Sequence, residues 1–175
     1  MSLRARILLC VLSGVLDPLG FAGFGLAALS WVAKVPVLIA VRDLPPRRTF
    51  AFAMVYGVIA YFGGYSWLMH TLENFGGMGP VAAWLSTVVI CAFLAVLFGL
   101  LLAFVQMLRR ELHIAPVWSL AFICPALEHL YPNIFPYNIG ASQFRFTAVT
   151  QIIELTGLLG LSALVVLVNG ALLEF

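Results

Sequence analysis

Apolar residues run along this chain in six long stretches, at about 5–16, 21–41, 49–70, 80–108, 115–130 and 150–174, separated by short polar segments that carry most of the charge. Within each stretch the apolar character is nearly continuous, as expected of helices solvated by lipid. A helix needs about 20 apolar residues to cross roughly 30 Å of hydrocarbon. The first stretch is too short to cross alone, and Asp17, Pro18 and Gly20 supply turn chemistry after it. It is expected to turn back with the second stretch as a short hairpin. The segment Arg42-Asp43-Leu44-Pro45-Pro46-Arg47-Arg48 stops that hairpin, and Thr49 is the candidate N-cap of the third helix.

The third stretch is long enough to cross, which puts 70–79 on the outer face, and Pro80 suits the first turn of the fourth. The fourth returns to Arg109 and Arg110. Pro116 and Pro125 interrupt the fifth, with a bend expected at Pro125 and an end at Glu128 and His129. The semi-polar segment 131–143 reads as a folded interfacial loop, and the sixth stretch returns. No repeat or low-complexity tract interrupts this order. The expected fold is all-α: one polytopic transmembrane domain over 1–175, a bundle of about six helices.

Composition removes the soluble alternative, since 63% of residues are hydrophobic and 9% charged, against roughly a quarter charged in soluble domains. Trp31, Trp67, Trp84 and Trp118 fall near stretch ends, where an indole can sit at headgroup level. Basic residues cluster as Arg4 and Arg6, then Lys34, Arg42, Arg47 and Arg48, then Arg109 and Arg110, with Arg145 apart. Placing the first three groups on the cytoplasmic face satisfies the positive-inside rule for eight of nine cations and makes the N-terminus cytoplasmic. Arg4 and Arg6 resemble a signal-peptide n-region, but no small-x-small cleavage site precedes Asp17, so the first helix is expected to be retained.

Candidate chemistry is sparse. Cys10, Cys91 and Cys124 lie in apolar stretches without metal-ligand spacing and read as small core residues. Almost no ionisable residue lies away from a helix end, which counts against a pump or proton relay. Lys34 is expected to snorkel along its methylene stem, and Glu154 to sit at a helix N-terminus. His70 and Glu73, three apart, can share a face towards a phospholipid headgroup or simply be solvated. His129 and Glu128 are adjacent and point apart. Met69, Phe75 and Met78 surround Gly76-Gly77 as an apolar surface, for packing or for acyl chains. No nucleotide-binding, GxSxG, HExxH or P-loop motif occurs, and no cofactor or metal is expected.

Longer segments carry a more specific signal. GGYSWLMHTLENFGGMGP resembles the matching segment of bacterial apolipoprotein N-acyltransferases. Upstream, DPLGFAGFGLAALSWVAKVPVLIAV is similar to the first helical hairpin of that family, and RRTFAFAMVYGVIAYFGGYSW to the start of its third helix. Downstream, PALEHLYPNIFPYNIGASQ and QIIELTGLLGLSALVVLVNGALL resemble its Glu-containing helix end, Phe-Pro loop, Ser-Gln turn and next helix. The likeness covers nearly the whole chain in order. It departs at Glu128-His129-Leu130-Tyr131, where the family often has Trp-Leu-Arg after the glutamate, and in 133–137, which lacks the usual tryptophan. Those departures suggest a divergent member.

The resemblance implies an inner-membrane enzyme that moves an acyl chain from a phospholipid to the N-terminal diacylglyceryl-cysteine of a lipoprotein. It also implies a nitrilase-like catalytic domain, in the same or a separate chain, whose Glu-Lys-Cys triad has no counterpart in these residues. The expected partners are the phospholipid donor, the diacylated lipoprotein, that domain and the membrane, and no nucleic acid. For substrate contact the resemblance points to Tyr65, Trp67, His70, Glu73, Phe75, Gly76, Gly77 and Met78, with Phe135 and Pro136 opposite. A non-catalytic scaffold or lipid-binding protein built on the same bundle is the alternative. A small transporter fits less well, for want of mid-membrane charge and paired broken helices.

Overall fold

A computed structural model describes residues 1–21, 24–130 and 138–174. The chain is an all-α helical bundle, without strand among the described residues. Helix α1 spans Leu3–Leu19, and the Ser2 hydroxyl caps it by accepting from the Ala5 N–H. It runs through Asp17 and Pro18, where the sequence reading has a turn after residue 16. The reason is that the Asp17 side chain points into the bundle and is engaged there, so the helix ends only at Gly20.

The second stretch, expected as a helix over 21–41, is broken. Gly25 takes a left-handed φ of 75°, a short 3-10 helix covers Ala27–Trp31, and α2 covers only Val35–Val41. Pro36, in the first turn of α2, lacks an N–H and its ring excludes the carbonyl four residues back, so a helix can start there but not pass through. Helix α3 (Pro46–Tyr65) starts after Pro45, which replaces Thr49 as N-cap; Thr49 lies buried one turn inside. Helix α4 (Trp67–Asn74) follows at an angle of 57°, so the helix expected over 49–70 is a bent pair.

Pro80 opens α5 (Pro80–Glu111), which at 32 residues is about 48 Å long. Helix α6 (Pro116–Leu130) carries Pro125 within it. A second 3-10 helix (Ile139–Gln143) and α7 (Thr147–Thr150) lead to α8 (Ile153–Glu174), which breaks its helical geometry at Gly157 with φ 69°. Helices α5 and α8 are long and apolar enough to cross a bilayer, and α3 with α4 makes a third if the bent pair is one span. Leu85, Val89, Phe93, Leu100 and Phe104 expose an apolar face along α5, which suits lipid and not water.

Small residues let the helices approach closely. A Cβ on Gly57 would stand 2.9 Å from the Ala95 Cβ, where α3 crosses α5, and one on Gly170 would stand 2.8 Å from the Val117 backbone, where α8 crosses α6. Cys10, Cys91 and Cys124 are buried and unpaired, filling small gaps. At one end of the bundle Gln106 of α5 donates to the carbonyls of Val41, Arg42 and Leu44 at 2.8–3.0 Å, and Arg109 donates to Arg42 at 2.7 Å. Arg6 forms a bidentate ion pair with Asp43 at 2.7 Å and also donates to the Ala40 carbonyl. The start of α1, the end of α2 and the end of α5 therefore meet, gathering the arginines other than Arg145 at one basic end.

Lys34 does not snorkel. Lys34 is 7% exposed and Asp17 4%, and the Lys34 ammonium donates to Asp17 Oδ1 at 2.5 Å, while Tyr56 OH donates to Oδ2 at 3.0 Å. The Phe98 ring lies 6.0 Å from Lys34 Nζ and 5.0 Å, edge on, from the Tyr56 ring. Asn169 of α8 accepts from the Lys34 backbone N–H at 2.9 Å and donates to the carbonyls of Ser30 and Val165. The Ser30 hydroxyl donates to Gly20, and that of Ser13 to Ala33. One polar knot thus joins α1, the 27–34 segment, α3 and α8, and Lys34, expected to snorkel to the headgroups, is buried within it.

Removing one member of a buried ion pair costs about 3–5 kcal/mol, whereas replacing both by apolar residues is often neutral. Lys34→Met is expected to lower stability by that amount. The double variant Asp17→Leu/Lys34→Met is expected to recover most of it, read by thermal unfolding in micelles. Equal losses in the single and double variants would contradict this account of the pair.

Candidate functional site

At the end opposite the basic cluster, α3 bends into α4 just after Gly63-Gly64. The first of these glycines admits α1: a Cβ at 63 would stand 2.6 Å from the Pro18 ring. Tyr65 closes α3 with its ring buried and stacked on Tyr61, the centroids 5.8 Å apart and the planes 7° from parallel. Trp67, half-exposed, lies 6.2 Å from the Tyr65 ring. Apolar rings thus extend from the core to the surface at the bend.

Helix α4 ends in a turn at Gly76-Gly77. The Phe75 N–H donates to Thr71 at 2.9 Å and the Met78 N–H to Leu72 at 3.2 Å, while Gly77 adopts φ 63°. That φ explains the glycine, because a Cβ there would meet open space but a left-handed backbone. Phe75 projects from the turn at 87% exposure, and the Ser86 hydroxyl, 3.8 Å from Met78 Sδ, ties the turn to α5. His70 is exposed and Glu73 half-buried, and no hydrogen bond or ion pair joins them among the described residues. The structure therefore groups Tyr65 with Trp67, and Phe75 with Met78, but does not pair His70 with Glu73. Phe135 and Pro136 lie outside the described residues.

The segments around 131–137 are held by buried polar side chains. Glu128 accepts from the Ile139 N–H at 2.9 Å, and the Ser162 hydroxyl accepts from Gly140 at 2.9 Å. Gln143 donates to the Ala27 carbonyl and to Ser142, both at 2.9 Å, and accepts from the Trp31 indole at 2.9 Å. The two 3-10 helices, the end of α6 and α8 at Ser162 thus form one braced platform. His129, next to Glu128, is exposed. Sequence reading located Glu128 and the Ser142-Gln143 turn but not their partners, because those bonds cross up to 116 residues of chain.

A feature with no linear signal is an apolar groove of about 460 Å³ between α1, α3 and α5. Gly14 and Pro18, Phe62 and Gly63, and Trp84 and Val88 line it from the three helices in turn. Its mouth is formed by the half-exposed Val15 and Trp84 and the exposed Phe24. Trp84 lies one turn into α5, so the groove sits at the same end of the bundle as the Phe75–Met78 turn, while Met78 meets α5 on another face, at Ser86. Apolar walls and a volume in the usual ligand range suit an acyl chain. Among the described residues no cluster of His, Cys, Asp and Glu could hold a metal ion.

A sequence profile described as Apolipoprotein N-acyltransferase N-terminal domain matches residues 13–171. An apolipoprotein N-acyltransferase of Geobacter metallireducens is 32% identical over 173 residues, covering 95% of this chain and 32% of that protein. Enzymes of the same name from Thermotoga maritima and Nitrosomonas europaea are 29% and 28% identical, covering 97% and 93% of this chain and 35% and 34% of theirs. The chain thus spans about a third of the length of these relatives.

The platform yields a local test. Gln143→Leu leaves the Ala27 carbonyl without its donor, at a cost of about 1–3 kcal/mol. Hydrogen exchange is expected to rise about tenfold or more in 27–31 and 139–143 and to stay unchanged in the middle of α5. Unchanged protection at both 3-10 helices would show that Gln143 does not brace them.

Proposed function

The chain belongs to the apolipoprotein N-acyltransferase N-terminal domain family, and from that premise we propose that it is the membrane portion of an enzyme that transfers an acyl chain from a phospholipid to the N-terminal diacylglyceryl-cysteine of lipoproteins. Its part is to anchor a nitrilase-like catalytic domain and to offer the lipid substrates to it. The observation that carries this reading is the apolar groove between α1, α3 and α5, at the same end of the bundle as the exposed Phe75–Met78 turn.

In the proposed reaction the catalytic thiolate attacks the acyl ester carbonyl of the phospholipid, forming a thioester and releasing lysophospholipid. The α-amine of the diacylated cysteine then attacks the thioester, forming an amide and returning the thiol. The carboxylate moves the protons, and the lysine stabilises the oxyanion. All three groups belong to the catalytic domain.

The membrane portion contributes position. Tyr65, Trp67, Phe75 and Met78 make the apolar contacts, His70 and Glu73 border the headgroup, and Gly76 and Gly77 set the turn; Phe135 and Pro136 are carried over from the family resemblance as further substrate contacts. The basic end faces the cytoplasm under the positive-inside rule, which puts the N-terminus in the cytoplasm, the groove mouth in the outer leaflet and the whole in the bacterial inner membrane.

The reading is tested in cells depleted of their own enzyme, carrying this chain alone or joined to a nitrilase-like domain, by the mass of a diacylated lipoprotein recovered from their membranes. Acyl transfer is expected only from the combination. Transfer by the chain alone would overturn the division of labour. No transfer from an inserted, folded combination would favour a non-catalytic scaffold or lipid-binding role.

A further inference from the structure

The basic end of the bundle has a cleft of its own. Where α1 and α3 begin side by side, a groove of about 400 Å³ is lined by Met1, Leu3, Arg6, Leu44, Arg48 and Phe52. Arg6 is occupied by Asp43 and the Ala40 carbonyl. Arg48 is exposed at the groove, with Arg47 and Arg4 exposed nearby on the first turns of the same two helices. None of these three arginines has an ion-pair partner among the described residues. Asp43, the acid of this corner, is committed to Arg6, whose hydrogen bonds pull its carboxyl down to about 2. The corner therefore keeps a positive excess, to which the positive ends of two helix macrodipoles add.

Two features select the occupant. The charge calls for an anion. Between the arginines, however, the walls are apolar, formed by Met1, Leu3, Leu44 and Phe52, and one turn further along the same two helices Ile7 and Val55 are apolar and exposed, on the surface that faces hydrocarbon. A soluble anion would leave those walls unused, and an acidic peptide would place polar backbone against them.

We propose that this groove binds an anionic phospholipid of the adjacent leaflet, its phosphate at Arg48 with Arg47 and Arg4 around it, and an acyl chain along Leu3, Leu44 and Phe52. Basic clefts between helices at a membrane surface recognise acidic lipids through the same combination of charge and apolar contact. The site lies at the end of the bundle opposite the Phe75–Met78 turn, so it is a structural lipid site and not a donor site. Its failure would leave the proposed acyl-transfer role untouched.

The 175-residue chain, purified in a neutral detergent, is titrated with phosphatidylglycerol, phosphatidylcholine and glycerol phosphate, and bound lipid is counted by native mass spectrometry. Phosphatidylglycerol is expected to bind best, more weakly at higher salt, and about fivefold more weakly to Arg48→Gln, since one arginine near a lipid surface is worth about 1 kcal/mol. Arg110→Gln, an exposed arginine at the same end but outside the groove, is expected to bind as the parent does. Because Arg48 is exposed, its replacement leaves the core intact, which helicity by circular dichroism checks. Equal binding of phosphatidylcholine, equal binding of glycerol phosphate, or equal effects of the two substitutions would each overturn the proposal.

Discussion

The Asp17 carboxylate, shared between the Lys34 ammonium and the Tyr56 hydroxyl, is the constraint on which the rest of this bundle depends. An unpaired charge among apolar helices costs several kcal/mol, so Asp17 cannot face the bundle unless the segment carrying Lys34 folds back onto α1. Once it does, the backbone of Lys34 presents its N–H to Asn169, and α8 is drawn to the same point. Asn169 also fixes Ser30, which places the 3-10 helix Ala27–Trp31 beneath Gln143. A pair that adds little net stability can in this way specify which helices meet and in what register.

From that point the two ends of the bundle take on opposite chemistry. Towards the platform, Glu128, Ser162 and Gln143 brace the two 3-10 helices, and the apolar groove and the exposed Phe75–Met78 turn lie at the same end. Towards the other end, Gln106 and Arg109 gather the carbonyls that close α2, and arginines surround a shorter cleft. A lipid-facing α5, apolar along its exposed face, runs the distance between them. Such polarity suits a protein that must hold one orientation while admitting lipid from the side.

Much of this was legible along the chain, and the remainder was hidden for physical reasons. Continuous apolar stretches announce helices in lipid, and Pro80 stands at the first position of α5 because its missing N–H has no partner to lose there. Lys34 misled because snorkelling and pairing look alike in one dimension: only the fold brings it to Asp17, across 17 residues. The helix expected over 21–41 failed at Pro36 and Gly25, where local backbone limits outweighed apolar continuity. The bend of 57° after Tyr65 follows a Gly-Gly pair visible in the sequence, but the close approach of Pro18 to Gly63 is not. The groove had no linear signal at all, since its walls come from three helices.

The central claim is that lipid reaches the catalytic domain through the groove between α1, α3 and α5. Two neighbouring valines of α5 separate that claim from a general effect of bulk: Val88 lines the groove, whereas Val89 is 67% exposed to lipid. The measurement is the dependence of acyl transfer on phospholipid concentration for Val88→Trp and Val89→Trp in the chain joined to its catalytic domain. The account predicts a phospholipid KM raised about tenfold or more by Val88→Trp and left near the parent value by Val89→Trp. Equal kinetics in the two variants would contradict it.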